Sequence, residues 1–181
     1  MEEYLTHSPE ETERLGEEFA ERLRGDEVLA FSGGLGMGKT AFVRGLARGL
    51  GVQDDVSSPT FALVNQYAGG RAMLYHFDMY RVGSWDDLYS TGFFDDLSMG
   101  ILAVEWSENI DGALEDPVRI DFSRGEGEND RIIRITMPDS RQKGLEATWN
   151  VSCQPCCWAI LSAFSSCRSA MSQEVTSAPS K

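Results

Sequence analysis

Residues Gly33-Gly34-Leu35-Gly36-Met37-Gly38-Lys39-Thr40 fit G-x-x-x-x-G-K-[ST], the pattern of a phosphate-binding loop. No other stretch constrains the fold as much, because such a loop works only between a buried strand and the start of a helix. Glycines let backbone N–H groups turn inward around phosphate oxygens, and the following helix offers its positive end. The flanks supply that context. Val28-Leu29-Ala30-Phe31 is a continuous apolar run, as in a parallel strand covered on both faces. Phe42, Val43, Leu46, Ala47 and Leu50 then recur at helical spacing, and Gly51 is placed to stop the helix. The nucleotide-binding set expected from the pattern runs from Gly33 through Thr40 to Ala41. Within it Lys39 neutralises the terminal phosphates and the Thr40 hydroxyl holds Mg²⁺.

The rest of the chain reads as one α/β domain with a mixed, partly antiparallel sheet in a three-layer arrangement. Ser8-Pro9-Glu10-Glu11 is a capping box that opens a helix with Leu15, Phe19 and Leu23 on one face, closed at Gly25. Phe61–Tyr67 and Ala72–Phe77 read as a hairpin joined through Gly69-Gly70. Ser84-Trp85-Asp86-Asp87 opens a short helix through Leu88. Ile101–Val104 is a second fully apolar strand, and Val118–Phe122 with Arg131–Met137 forms a last strand pair. No internal repeat is visible.

Composition sets limits on partners. The formal charge is −13 over 181 residues, whereas a chain that grips DNA or RNA directly needs a basic surface to displace counterions. No segment approaches the roughly 20 apolar residues of a membrane span. The N-terminus is acidic (Glu2, Glu3) where a secretory signal would be basic, so the expected location is the cytoplasm. All four cysteines fall between Cys153 and Cys167, and residues 140–181 carry four basic and two acidic side chains. That shift divides an acidic phosphate-loop domain, 1–139, from an atypical tail, 140–181, whose serine- and alanine-rich end is expected to be unstructured. One C-x-x-C pair with an adjacent Cys157 and no following histidine favours free thiols over a zinc centre.

A phosphate loop also needs carboxylates to position metal and water. Glu105, closing the strand 101–104, and Asp78, following Tyr75-His76-Phe77, both stand at strand ends, where a side chain can face a nucleotide. Ser57-Ser58-Pro59-Thr60 lies where switch loops place a hydroxyl that senses the terminal phosphate. Trp106 can be core or a stacking group. His76, facing away from Phe77, is assigned no role.

Four blocks, Gly33–Thr40, Ser58-Pro59-Thr60-Phe61, Tyr75–Arg81 and Val104-Glu105-Trp106, together with the helix carrying Glu11-Thr12, resemble the TsaE (YjeE) family of bacterial ATPases over about residues 3–137. The resemblance implies an ATP- and Mg²⁺-dependent hydrolase needed to form threonylcarbamoyladenosine at position 37 of tRNA. It acts with a TsaD–TsaB pair, whose assembly ATP hydrolysis resets, and it meets tRNA only through those partners. It also implies residue roles. Lys39, Glu105 and Asp78 would be catalytic, and Thr40, Glu105 and Asp78 would serve the metal. Thr60 and Trp106 would couple the site to partners, and Arg131 would contact the nucleotide. Gly34 stands where the family usually has aspartate, Met37 where alanine is common, and the tail beyond Ser140 matches nothing in it.

Two other readings stay open at this point. A small-molecule or nucleoside kinase would bring several arginines into a lid, and between Trp106 and Asp130 only Arg119 and Arg124 are available. A non-catalytic scaffold would bind ATP through Lys39 and Thr40, with Glu105 and Asp78 merely structural.

Overall fold

Side chains that alternate in direction along strands buried on both faces decide the layering. In a computed structural model, which describes residues 1–59, 62–97 and 99–138, the strand β2 (Val28–Ser32) turns Leu29 and Phe31 to one side and Ala30 to the other. Each side has its own apolar cluster, so the sheet is the middle layer of three. Helices α1 (Pro9–Ala20) and α2 (Lys39–Leu50) cover the first face. There Phe42 packs its ring against Phe19, Phe31 and Phe122 at centroid distances of 5.9, 5.6 and 6.1 Å. Helices α3 (Trp85–Ser90) and α4 (Phe93–Asp96), with a 3-10 stretch over Ser107–Ala113, cover the second.

Seven strands complete the sheet: β1 (Glu2–Thr6), β2, β3 (Val64–Tyr67), β4 (Leu74–Asp78), β5 (Ile101–Glu105), β6 (Val118–Arg124) and β7 (Arg131–Thr136). Their order is β1-β7-β6-β2-β5-β4-β3. The centre is parallel: β2 pairs with both β5 and β6, and β4 with β5. The margins are antiparallel, β3 on β4 at one side and β6-β7-β1 at the other. The mixed, partly antiparallel three-layer architecture expected from sequence is the one found.

Several boundaries differ from the sequence reading. The first helix ends at Ala20 rather than at Gly25, because its last turn tightens into i→i+3 bonds, Arg22 N to Phe19 O and Leu23 N to Ala20 O. The guanidinium of Arg71 then closes the carbonyls of Ala20 and Leu23. The first hairpin strand starts at Val64 rather than Phe61, since Leu63 is held in the left-handed region at φ 65°. Its partner runs Leu74–Asp78, two residues later at its start than expected. Both capping serines act as expected: Ser8 accepts from Glu11 N, and Ser84 from Asp87 N. Helix α4, the 3-10 stretch and β1 were not read from sequence. The tail boundary at 140 and the reading of its cysteines lie outside the described residues.

β1 is an edge strand that exposes Glu3 and Leu5 and is anchored at both ends. Arg22 donates through both terminal nitrogens to the Glu2 carboxylate at 2.7 Å. Together with the Tyr4 hydroxyl, that contact pulls the Glu2 carboxyl down to about 2. At the far end His7 Nδ1 meets Asp130 Oδ1 at 2.9 Å, joining the β1–α1 turn to the β6–β7 loop. The hydrogen bond to Asp130 and its charge raise His7 above the ordinary 6.5. A raised histidine stabilises the fold fully below pH 6.5 and loses that contribution as pH rises through the higher folded value. Proton NMR titration should therefore give His7 a midpoint above 6.5, and Asp130→Asn should return it there. A wild-type midpoint at the ordinary value would mean the contact does not hold in solution.

Candidate functional site

The phosphate-loop residues bend as glycine allows and other residues do not. Gly33 sits at φ 120°, and a Cβ there would lie 2.6 Å from the Phe122 carbonyl oxygen on β6. Gly38, at φ 99°, forms the N-cap of α2 and supplies no side-chain cap. The first-turn N–H groups of α2 are thus left for a ligand, and the helix dipole gives that end positive character. Met37 packs against the α1–α2 core, whereas Leu35 at the loop tip is 85% exposed.

Around this helix start the sheet gathers its polar side chains. Parallel register places Asp78 of β4 beside Glu105 of β5, so both carboxylates sit at the carboxyl ends of their strands. Both are 4% exposed. The Thr40 hydroxyl, on the first turn of α2, donates to Glu105 Oε1 at 2.7 Å. Asp78 accepts from Ser58 Oγ at 3.2 Å and from Tyr80 N at 3.1 Å. Lys39 is also 4% exposed. Its ammonium donates to the carbonyls of Gly33 (2.6 Å) and Gly34 (2.9 Å) and lies 4.1 Å from the centroid of the Trp106 ring. Burial lowers the Lys39 pKa, and the negative charges of Glu105, Glu108 and Asp78 oppose that shift.

Trp106 owes its position to an unusual backbone. It adopts φ 58° and ψ 41°, left-handed values that few non-glycine residues take, and so starts the 3-10 stretch just after Glu105. This turn places the indole over Lys39 and 4.9 Å from the Tyr80 ring. Arg131 Nη2 reaches the Gly36 carbonyl at 3.3 Å, which ties β7 to the loop tip. The structure thus brings Lys39, Thr40, Asp78, Glu105 and Trp106 together, with Arg131 at the loop's other side. Thr60 lies outside the described residues, although its neighbour Ser58 contacts Asp78.

One residue was missed. His76 is wholly buried, and its Nε2 lies 2.9 Å from Glu105 Oε1. The signal was present in the alternation of His76-Phe77-Asp78. Residues two apart on a strand share a face, so a histidine two before Asp78 had to face the same way.

A separate cleft of about 290 Å³ lies on the opposite face of the sheet, lined in part by Ser32, Glu108, Asp111, Arg119 and Asp121. Three of those side chains are acidic, which suits a polyphosphate poorly. Arg119, one of the two arginines considered for a kinase lid, is ion-paired there with Asp111 at 2.8 Å.

A family model described as threonylcarbamoyl adenosine biosynthesis protein TsaE matches residues 6–133. The chain belongs to the TsaE family. The TsaE match runs from the last residue of β1 into β7 and takes in the whole phosphate loop and both strand-end carboxylates. Relatives named tRNA threonylcarbamoyladenosine biosynthesis protein TsaE include one from Aquifex aeolicus, 44% identical over 110 residues, or 60% of this chain and 78% of that one. Another, from Bacillus subtilis, is 35% identical over 144 residues, covering 78% and 89%. The crystal structure of Bacillus subtilis YdiB superposes with a TM-score of 0.65 at 31% identity, over 81% of this chain and 92% of that one. Membership in TsaE ties the chain to threonylcarbamoyladenosine biosynthesis and tRNA processing. Among the described residues no helix is long and apolar enough to cross a membrane.

Proposed function

We propose that the chain is a Mg²⁺-dependent ATP hydrolase that supports formation of threonylcarbamoyladenosine at position 37 of tRNA, working with a TsaD–TsaB type pair in the cytoplasm. One observation carries the reading: Lys39, Thr40 and Glu105 converge on the uncapped start of α2. The donor set fits the groups it would hold. A glycine loop running into an uncapped helix start, with a buried ammonium, suits a polyphosphate, and one hydroxyl with two carboxylates suits a hard cation held jointly with phosphate oxygens.

When bound, Mg²⁺ would neutralise charge developing on the phosphates, with Thr40 and Glu105 as its protein ligands and Asp78 in support. The remaining work belongs to side chains. Lys39 leaves the Gly33 and Gly34 carbonyls and meets the terminal phosphates. Glu105 and Asp78, at adjacent strand ends, orient the attacking water, and Trp106 shields it from bulk solvent. Arg131 steadies the loop tip through Gly36. The net acidic charge agrees with a protein that leaves tRNA to its partners.

Reconstitution tests this directly, using the full chain with TsaD, TsaB, threonylcarbamoyl-adenylate synthase, ATP and unmodified tRNA. Multiple-turnover product should require this chain. Equal product without it would end the reading. Lys39→Ala should weaken ATP binding about 10–100-fold, since a hydrogen bond to a charged group is worth about 1.5–3 kcal/mol. Unchanged affinity in calorimetry would place the nucleotide elsewhere.

A further inference from the structure

His76 has no part in the chemistry above, yet packing alone does not explain an imidazole at its position. It stands on β4, in register with Ala103 of β5, on the face that also carries Leu74 and Ile101. The ring is wholly buried, and Nδ1 has no partner among the described residues. A buried polar atom left unmatched costs about 1–3 kcal/mol, a penalty that leucine or phenylalanine would avoid. The bond that distinguishes histidine here is the one to Glu105. A carboxylate can only accept, so the ring proton sits on Nε2 and is donated to Oε1.

That oxygen takes two donors, and they are not equivalent. The Thr40 hydroxyl, at 2.7 Å, donates its proton to Oε1 while its oxygen lone pairs are of a ligand type for Mg²⁺, so it has to serve metal and carboxylate at once. His76 has no second claim of this kind. It is held by a strand bonded on both sides, to β3 and β5. Ala103, directly beside it, is small enough to let the ring reach along β5 to Glu105, one pleat further on.

We propose that His76 is the positioning residue of Glu105, fixing its carboxylate through Nε2–H···Oε1 while Thr40 engages the metal. The inference rests on the role given to Glu105 in the proposed function. The carboxylate keeps one fixed donor whether or not nucleotide is bound. Oε2, which takes neither bond, is left available for ligand exchange. Partners that orient a metal-binding side chain typically change metal affinity or activity 10–100-fold when removed.

Two polar substitutions in the full chain separate positioning from packing. In His76→Gln the amide nitrogen comes near the place of Nε2; in His76→Asn it is one carbon short of Glu105. The Asn variant should lower kcat for ATP hydrolysis about 10–100-fold. It should also raise about tenfold the Mg²⁺ concentration that half-saturates its effect on ATP binding, while ATP affinity in EDTA stays unchanged. The Gln variant should recover most of both. Wild-type values in both variants, or equal losses matched by equal falls in Tm, would overturn the proposal. Ring ¹⁵N NMR on the wild-type fold gives a second measure: His76 should show a protonated Nε2 whose shift changes in Glu105→Ala. A shift indifferent to Glu105 would overturn it even where the variants fail to fold. If Glu105→Gln itself turns over normally, the role of Glu105 is what fails, and the NMR contact can still stand.

Discussion

Glu105→Gln is expected to lower kcat for ATP hydrolysis about 10²–10³-fold, the usual loss when one fixed electrostatic group is taken from a transition state. ATP affinity should change little. The substitution keeps shape and keeps an oxygen that can accept from Thr40 and His76, so what is removed is the charge. Stability should not fall. Glu105 stands beside Asp78 in register, and both are buried, so the repulsion relieved by neutralising one offsets the lost attraction between Glu105 and the buried Lys39 ammonium. Steady-state hydrolysis, calorimetric ATP binding and thermal melting together check this. A variant that binds ATP and hydrolyses it at the wild-type rate would instead make the chain a nucleotide-dependent scaffold.

The second large effect concerns the fold. Gly45→Ala should lower stability by about 3 kcal/mol, near the upper part of the range for overpacked cores. Helices α1 and α2 cross so closely that a Cβ at Gly45 would lie 1.7 Å from the Glu13 carbonyl oxygen. Gly16 and Gly49 are also tight, though less so, at 2.2 Å from Phe42 O and 2.4 Å from Glu17 O. The obstructing atoms are backbone, so no rotamer change relieves the clash and the helices must separate. Alanine's better helix propensity, about 1 kcal/mol, offsets only part of that. Because Lys39 and Thr40 begin α2, a shifted helix should also weaken ATP binding. Thermal unfolding should show Tm down by about 5–10 °C. Gly83→Ala, where the nearest atom is 4.0 Å away, should leave Tm unchanged. A Gly45→Ala melt matching wild type would show that the crossing is loose.

Much of the fold was legible because its signals are local. The capping serines, the apolar runs 28–31 and 101–104, and the glycine loop declare themselves within a few residues. β1 did not, because Glu2-Glu3-Tyr4-Leu5-Thr6 is an edge strand whose identity depends on pairing with β7, with Glu2 opposite Ile135. The end of α1 was misread for a similar reason: Arg71, far along the chain, takes the carbonyls that close it. Trp106 was ambiguous until its left-handed backbone put the ring over Lys39.

By itself the sequence determined the phosphate loop, the helix that follows it and the two-faced strands around it, since these depend on glycine conformations and on side-chain alternation between near neighbours. The sequence put Glu105 and Asp78 forward as strand-end carboxylates, but only the tertiary structure decided that Glu105 meets Thr40 and His76 while Asp78 meets Ser58. Thr40 and Glu105 are 65 residues apart, and His76 and Glu105 are 29. They touch because β5 lies between β2 and β4, an order that sets strand ends remote in sequence side by side.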